Sequence, residues 1–230
     1  MSFFQSILGP RIPPDELQNR WGRYALPTVT LSVARVALLC SLFFPYWHMK
    51  LDAPQYPKGL YLNAYVNRLE GHVREINSLN HYIGMRPLEQ AATLEKAMSV
   101  WAIIAMVLLV EGATYIHSKW AALCVLPALL FPAGFLIDLH WWMSHFGQNL
   151  DPRAPLSSSV KPFTPPILGT GVIGQFKTIA WMGWGLWLAW GAAGLSLGAP
   201  LFHYLAHKPP YERMRRSSKS AARQEEACAA

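Results

Sequence analysis

Two long apolar stretches stand almost back to back in this sequence, and they decide the predicted fold. Residues 97–117 read AMSVWAIIAMVLLVEGATYIH, and residues 120–140 read WAALCVLPALLFPAGFLIDLH. Each has about the ~20 residues that a helix needs to cross ~30 Å of hydrocarbon. A helix in a soluble core rarely stays apolar on every face for that length. The pair therefore predicts two membrane-spanning helices joined by the tight turn 118–119.

Two further apolar stretches flank this pair, at residues 27–47 and 179–205. Together the four stretches predict an all-α integral membrane protein with four transmembrane helices. The hydrophobic content of 52% fits that class. The other predicted segments are, in chain order, an N-terminal segment 1–26, a first loop 48–96, a second loop 141–178 and a basic tail 206–230 without regular structure.

The distribution of charge predicts the orientation. Lys and Arg number 20 against 13 Asp and Glu, which gives a net charge of +7. The unbalanced positive charge lies in the N-terminal segment, the turn 118–119 and the tail, whereas the first loop mixes both signs. The positive-inside rule then places both termini in the cytoplasm and both loops in the periplasm of a bacterial inner membrane. Because the tail follows an apolar stretch directly, we expect it to contact anionic lipid and not nucleic acid.

The two loops carry signs of ordered structure. Apolar residues alternate with tyrosine and asparagine over residues 60–67, which predicts a short β-strand. Residues 72–83 predict a helix that stops at Gly84, with Pro87 just beyond. The second loop is rich in proline, serine and glycine, and we expect an ordered but irregular segment that covers the outer helix ends.

Two opposite charges lie inside the predicted spans, Arg35 in the first and Glu111 in the second. Both sit at a similar distance from the inner ends of their helices. Ionisable groups at such depth are costly and normally face a partner or a cavity. Two interpretations stay open: a structural ion pair that locks the two helices together, or part of a proton or ion path.

Residues of the kinds that bind metals gather at the predicted outer ends of the spans and in the first loop. Thioether and imidazole ligands together suit Cu(I), whereas carboxylate and imidazole suit Cu(II), Zn or Fe. The alternative is ordinary interface residues, since histidine combines an apolar body with a polar tip. The candidate metal ligands are His48, Met49, His81, Met85, Asp138, His140, Met143 and His145.

The fourth span carries tryptophans at three-residue intervals, among them Trp184 and Trp187, followed by the pair Gly194 and Gly198. Small residues four apart let two membrane helices approach closely. This face either packs within the bundle or contacts a partner membrane protein.

Three histidines near the inner ends of the spans allow two further sites. His203 and His207 are spaced as a metal pair, and they also suit a helix C-terminus, where the dipole favours imidazolium. His117 and His203 lie at similar depth, so a b-type haem is conceivable. No Ser–His–Asp grouping, phosphate-binding glycine loop or carboxylate pair is recognisable, so we do not expect an enzyme.

Four loop motifs are more distinctive than the helices: APQYPKGL at 53–60, LNHYIGM at 79–85, GQNLDP at 147–152 and PPILG at 165–169. They resemble a family of uncharacterised bacterial four-helix membrane proteins found near genes for nitrous-oxide reductase maturation and copper handling. The resemblance implies a periplasm-facing accessory role in denitrification. It brings no ligand set with it.

The sequence thus favours a membrane-anchored accessory protein whose periplasmic part binds copper or docks a copper or redox partner. His81 and Met85 lie inside the most distinctive motif. Either these two residues are metal ligands, or the motif is a rigid turn shaped by Asn80 and Gly84. The alternative is a structural or assembly subunit of a respiratory membrane complex without its own metal. A small transporter or a haem or quinone protein is the remaining possibility.

Overall fold

The fold is taken from a computed structural model that describes residues 21–116, 120–156, 159–173 and 175–198. These residues form five α-helices and one five-stranded antiparallel sheet, so the prediction of an all-α protein with four transmembrane helices is wrong. His117, His203, His207 and the basic tail lie outside the described residues. In chain order the elements are α1 (Trp21–Ser41), β1 (Trp47–Ala53), β2 (Tyr56–Ala64), β3 (Leu69–Gly71), α2 (Val73–Ile83), α3 (Thr93–Tyr115), α4 (Trp120–Gln148), β4 (Gly169–Ile173), β5 (Phe176–Met182) and α5 (184–198).

The all-α prediction failed because two strands lie where apolar sequence meets the predicted ends of spans. The run 179–182 looks like the start of the fourth span, yet it belongs to β5. It is apolar on both faces of the strand: Ala180 is buried in the core, while Trp181 stacks on His48 across the sheet with ring centroids 5.4 Å apart. A short apolar run of this kind does not reveal by its periodicity whether it is helix or strand.

The sheet has the strand order β3-β2-β1-β5-β4, and every neighbouring pair is antiparallel. The two central strands, β1 and β5, come from opposite ends of the described chain. Alternate residues of β1 are buried, beginning with Trp47 and Met49, so one face of the sheet is covered and the other carries His48 and Lys50. Leu62 on β2 and Ala180 on β5 pair with Met49 on either side, which fixes the register.

A short connection joins α1 to β1 and another joins β5 to α5, and these two connections touch each other. The Gly183 N–H donates to the Tyr46 carbonyl at 2.9 Å, and the Gly185 N–H donates to the Pro45 carbonyl at 2.9 Å. A side chain at Gly185 would meet the Phe44 carbonyl oxygen and the Tyr46 ring, both at 2.5 Å. Glycine is therefore required at this position, because only a bare backbone allows so close an approach.

One region, which we call the cap, consists of the sheet, α2, residues 149–156 and 159–168, and the last two turns of α4. The prediction of a helix over 72–83 is confirmed by α2, which buries Ile76, Asn80 and Ile83 and ends at Gly84. α4 has 29 residues, so it is ~43 Å long and exceeds the ~30 Å of a bilayer core. Its end, including Phe146, packs in the same apolar cluster as the inner face of the sheet.

The other region, which we call the helix layer, comprises α1, α3, α5 and the rest of α4. Its core lies between the helices and is built from residues such as Leu38, Ile103 and Leu186. Two described helices, α3 and α4, are long and apolar enough to cross a membrane. The apolar part of α1, Ala25–Ser41, is shorter.

Candidate functional site

A cavity of about 50 Å³ lies between the sheet and α2 inside the cap. Met49, Met85 and Met143 all line it, and all three are buried. They come from three separate segments: β1, the residue after the α2 stop, and the last part of α4. The remaining lining residues are almost entirely apolar: Leu51, Ile76, Leu79, Asn80, Ile83, Leu88, Phe163, Pro165, Ile173, Phe176 and Thr178.

The LNHYIGM motif positions Met85. α2 ends at Gly84 in the left-handed conformation, with φ +82°, and the Met85 N–H donates to the Asn80 carbonyl at 2.8 Å. This is a glycine-terminated helix stop that turns the chain back toward the core. The motif therefore does form a rigid turn, and the same turn places the Met85 side chain in the cavity.

The GQNLDP motif holds that turn from the other loop. The Asp151 N–H donates to the Gly84 carbonyl at 2.8 Å, and a side chain at Gly84 would meet the Asp151 carbonyl oxygen at 2.6 Å. The Leu156 N–H donates to the Tyr82 carbonyl at 3.0 Å. Two motifs that are far apart in sequence thus form one contact, which holds the turn that carries Met85.

The PPILG motif and the segment before it close another side. The Trp47 indole N–H donates to the Ile167 carbonyl at 2.5 Å. The Phe163 N–H donates to the Gly147 carbonyl at 3.0 Å, and Phe163 and Pro165 line the cavity. The second loop is therefore a wall of the cavity, held by a backbone hydrogen bond from Phe163 and by the Trp47 indole N–H.

The donor set of the cavity consists of thioethers in an apolar shell. Thioether sulfur is a soft, uncharged ligand that selects Cu(I) over harder divalent ions. The Asn80 amide nitrogen is also buried at this wall and has no hydrogen-bond partner among the described residues. A buried polar group that lacks a partner calls for an explanation.

The histidines among the candidate metal ligands lie outside this cavity. His48 is on the opposite face of the sheet from Met49, where its Nδ1 is 2.7 Å from the Asn63 side-chain oxygen. His81 and His140 are exposed, and His145 stacks on Trp141 with ring centroids 5.2 Å apart. Asp138 is partly buried on α4, outside the cavity lining. The structure separates the imidazoles from the thioethers that the sequence pattern placed together.

Within the described ranges, no group of three His, Cys, Asp or Glu side chains could hold a metal ion. The split between His48 and Met49 was detectable in the sequence. Polar and apolar residues alternate strictly from His48 to Asp52, and a period of two sends neighbours to opposite faces of a sheet. Reading that alternation as a strand would have assigned Met49 to the core.

The charged pair joins α1 to α3. Arg35 and Glu111 form an ion pair, and Arg35 also donates to the Ser32 hydroxyl at 2.5 Å. Glu111 keeps 41% of its side-chain surface exposed and Arg35 keeps 17%. The pair thus lies at the edge of the helix layer.

On α5 the tryptophan and glycine face points away from the other described residues. Trp184, Trp187 and Gly194 are exposed and Gly198 is partly buried. The opposite face, with Leu186 and Ala189, is buried in the core between the helices. A side chain at Gly194 would have no described atom within 4 Å. Packing against the described part of the chain therefore uses the alanine face and leaves the tryptophan face uncovered.

No protein-family model and no curated protein matches this sequence. The resemblance carried by the loop motifs therefore stays a prediction.

Proposed function

We propose that this chain is a membrane-anchored accessory protein of the bacterial cytoplasmic membrane whose cap binds Cu(I) through Met49, Met85 and Met143. One observation carries the proposal: three methionines from three separate chain segments line a single small apolar cavity. Methionine also fills gaps in ordinary cores, but three on one cavity form a ligand set of the kind that Cu(I) selects. The other candidate metal ligands, which are His48, His81, Asp138, His140 and His145, are not part of this ligand set.

The membrane location is supported by the outward faces of the helix layer. Trp101 on α3 is 71% exposed and Ile137 on α4 is 70% exposed, and exposed leucines and valines accompany them. Soluble monomers rarely expose large contiguous apolar surfaces. In lipid the same faces would be solvated by hydrocarbon, and α3 and α4 are the helices that would cross.

The cap would then stand on one side of the membrane. β1 follows the end of α1, α3 begins soon after α2, and β5 leads into α5. The cap is therefore joined to the C-terminal end of α1 and to the N-terminal ends of α3 and α5. By the charge rule that side is the periplasm. A cap on that side would meet copper or a copper-carrying partner outside the cytoplasm, in keeping with a denitrification role.

The chemistry expected of the site is binding, not turnover. The three ligands are neutral, so the bound monocation would keep its charge in an apolar shell, and that shell would disfavour the more strongly hydrated Cu(II). Met85 and its turn are held by the second loop, so we expect uptake and release of copper to require movement of that loop.

The test is an anaerobic Cu(I) titration of the purified protein against a chromophoric chelator. Met49→Leu and Met85→Leu conserve volume and should fold, because such swaps usually cost less than about 1.5 kcal/mol. Each should weaken Cu(I) binding by about tenfold or more. Met106→Leu, a buried methionine in the core of the helix layer, is the matched control and should bind as the parent does.

Two results would refute the copper proposal. One is a parent protein that takes up no Cu(I) beyond a chelator blank. The other is binding that survives both leucine substitutions and disappears in His81→Ala or His145→Ala, which would move the ligands to the exposed rim. X-ray absorption of the loaded protein gives a direct check, because the proposal requires sulfur as the main scatterer around copper.

A second candidate function, a subunit of a larger membrane complex, is favoured by the free tryptophan and glycine face of α5. Its exposed Trp184 and Trp187 resemble the aromatic anchors of protein interfaces. Photocrosslinking from position 187 in native membranes tests it, with position 101 on α3 as the control. Crosslinks to lipid alone at position 187 would count against this function.

A further inference from the structure

A second and much larger cavity lies between α3, α4 and the edge of the cap. It is a groove of about 780 Å³, within the usual range of ~300–1,000 Å³ for small-molecule sites. It shares Leu88 and Met143 with the smaller cavity inside the cap that Met49, Met85 and Met143 line. Its walls are otherwise mostly apolar and aromatic, with Phe131 and Phe135 at its middle.

The groove is long and has one polar end. Along α3 it is lined from Leu94 to Leu109, a distance of ~22 Å at 1.5 Å per residue. Glu95, Lys96 and Ser99 line it near the cap. The lining at the far end is apolar, so the groove matches a ligand with one polar head and one long apolar tail.

The groove is open on the side that would face lipid. Leu94, Met98, Leu109 and Leu130 line it, and all four are exposed. A long-chain molecule dissolved in the bilayer would reach the groove sideways between α3 and α4, without passing through water.

The charges at the polar end select the head group. Glu95 and Asp138 supply two carboxylates against the single ammonium of Lys96, so an anionic phosphate would be repelled. Lys96 already donates to the Glu89 carbonyl at 2.8 Å, and Ser99 donates to the Lys96 carbonyl at 2.9 Å. The buried indole N–H of Trp142, which lines the groove, lies near the Asp138 carboxylate but makes no well-aligned hydrogen bond with any described residue.

We infer that this groove binds an isoprenoid quinone, with a ring carbonyl accepting a hydrogen bond from Trp142 and the tail lying along α3 toward Leu109. An uncharged carbonyl head would accept a well-aligned hydrogen bond from this N–H and would bring no charge to the acidic end. Aromatic walls suit a flat ring, since offset and edge-on ring contacts are favourable. The inference rests on the proposed membrane location but not on copper binding.

The experiment titrates the detergent-purified protein with a ubiquinone analogue that has a decyl tail, read by quenching of tryptophan fluorescence. A side chain at Gly134, which lines the groove, would have no described atom within 4 Å. Gly134→Leu should therefore fold, fill the groove and weaken binding by about tenfold or more. Gly112→Leu is the matched control: its site on α3 is equally open but lies outside the groove lining, and it should bind as the parent does.

A second variant tests the head group. Trp142→Phe keeps an aromatic ring and removes the N–H, so it should weaken binding of the analogue by several-fold, about the worth of one hydrogen bond. Thermal unfolding of each variant establishes that it is folded. If Gly134→Leu is unfolded, Gly134→Ala replaces it, with a smaller expected loss.

Three outcomes would overturn the inference. They are quenching that does not saturate in the parent, equal affinities for Gly134→Leu and Gly112→Leu, and extraction of phospholipid but no quinone from the parent purified from native membranes, with the phospholipid lost in Gly134→Leu. None of these depends on Met49 or Met85, so failure of the quinone site and failure of the copper site are distinguishable.

Discussion

The cap and the helix layer bury apolar surface in opposite ways. In the cap, apolar residues face inward from the sheet, α2 and the second loop, and the outer face of the sheet carries His48 and Lys50. In the helix layer, a narrow core lies between the helices while large apolar side chains such as Trp101 and Leu108 face outward. The cap therefore buries its apolar side chains inside itself, whereas the helix layer leaves large apolar side chains uncovered by the described residues.

This difference shows where substitutions should matter. At Gly84 inside the cap, and at Gly185 where the cap joins the helix layer, backbone segments touch and leave no room for an added atom. On the outward faces of the helices, the added atom meets only the surroundings. Matched glycine substitutions measure this contrast, since the same chemical change can be made in both environments.

The largest effect is expected where the cap joins the helix layer, at Gly185. Gly185→Ala would place a Cβ atom 2.5 Å from the Phe44 carbonyl oxygen and the Tyr46 ring, so the connection between β5 and α5 would have to shift. We expect a loss of about 3 kcal/mol or more, at the upper end for overpacking. Thermal unfolding in mild detergent measures it.

Gly191→Ala on the exposed face of α5 is the control. No described atom lies within 4 Å of its added Cβ, and alanine is favoured over glycine within a helix by about 1 kcal/mol. Its melting temperature should equal or exceed that of the parent. If the two variants melt alike, the tight contact between the two connections is not real.

The next effect is expected within the cap, at Gly84. Gly84→Ala combines a positive φ of 82° with a contact of 2.6 Å to the Asp151 carbonyl oxygen. A loss of about 2 kcal/mol follows from strain and crowding together. Gly169→Ala separates the two causes, because its φ is +86° but no described atom lies within 4 Å. It should lose only about 1 kcal/mol.

The sequence predicted the local elements better than their long-range pairing. α2 and its stop at Gly84 could be predicted because an amphipathic repeat and a following glycine are local signals. The pairing of β1 with β5 joins segments at opposite ends of the described chain, and no local pattern specifies it. The run 179–182 also lacks alternation, since Trp181 on the outer face is as apolar as the core residues.

The candidate metal site could also be predicted only in part from the sequence. The residue types were predictable, because thioethers and imidazoles stand out in the loops and at the helix ends. Their partition was not, because it depends on a strand that sends His48 and Met49 to opposite faces and on a turn that buries Met85 beside exposed His81. The groove had no sequence signal, since its lining residues look like ordinary transmembrane residues.

The smallest effect is expected at Tyr46, and it appears only at alkaline pH. Tyr46 is fully buried between the cap and the helix layer, beside the rings of Phe131 and Phe135 on α4. Burial raises its pKa to about 12, although the hydrogen bond with the Ser41 hydroxyl at 2.7 Å acts in the opposite direction.

Because the folded pKa of Tyr46 lies above the unfolded value of 10, its stabilising contribution is complete below pH 10 and is lost as the pH rises through 12. At pH 11 the parent should have lost about 1 kcal/mol from this group. Tyr46→Phe is the control: it should start slightly less stable at pH 8, having lost a hydrogen bond, and should show a smaller decline between pH 10 and 12. Parallel declines in the two proteins would mean that the Tyr46 hydroxyl is not buried, and the contact between cap and helix layer would then be looser than the structure describes.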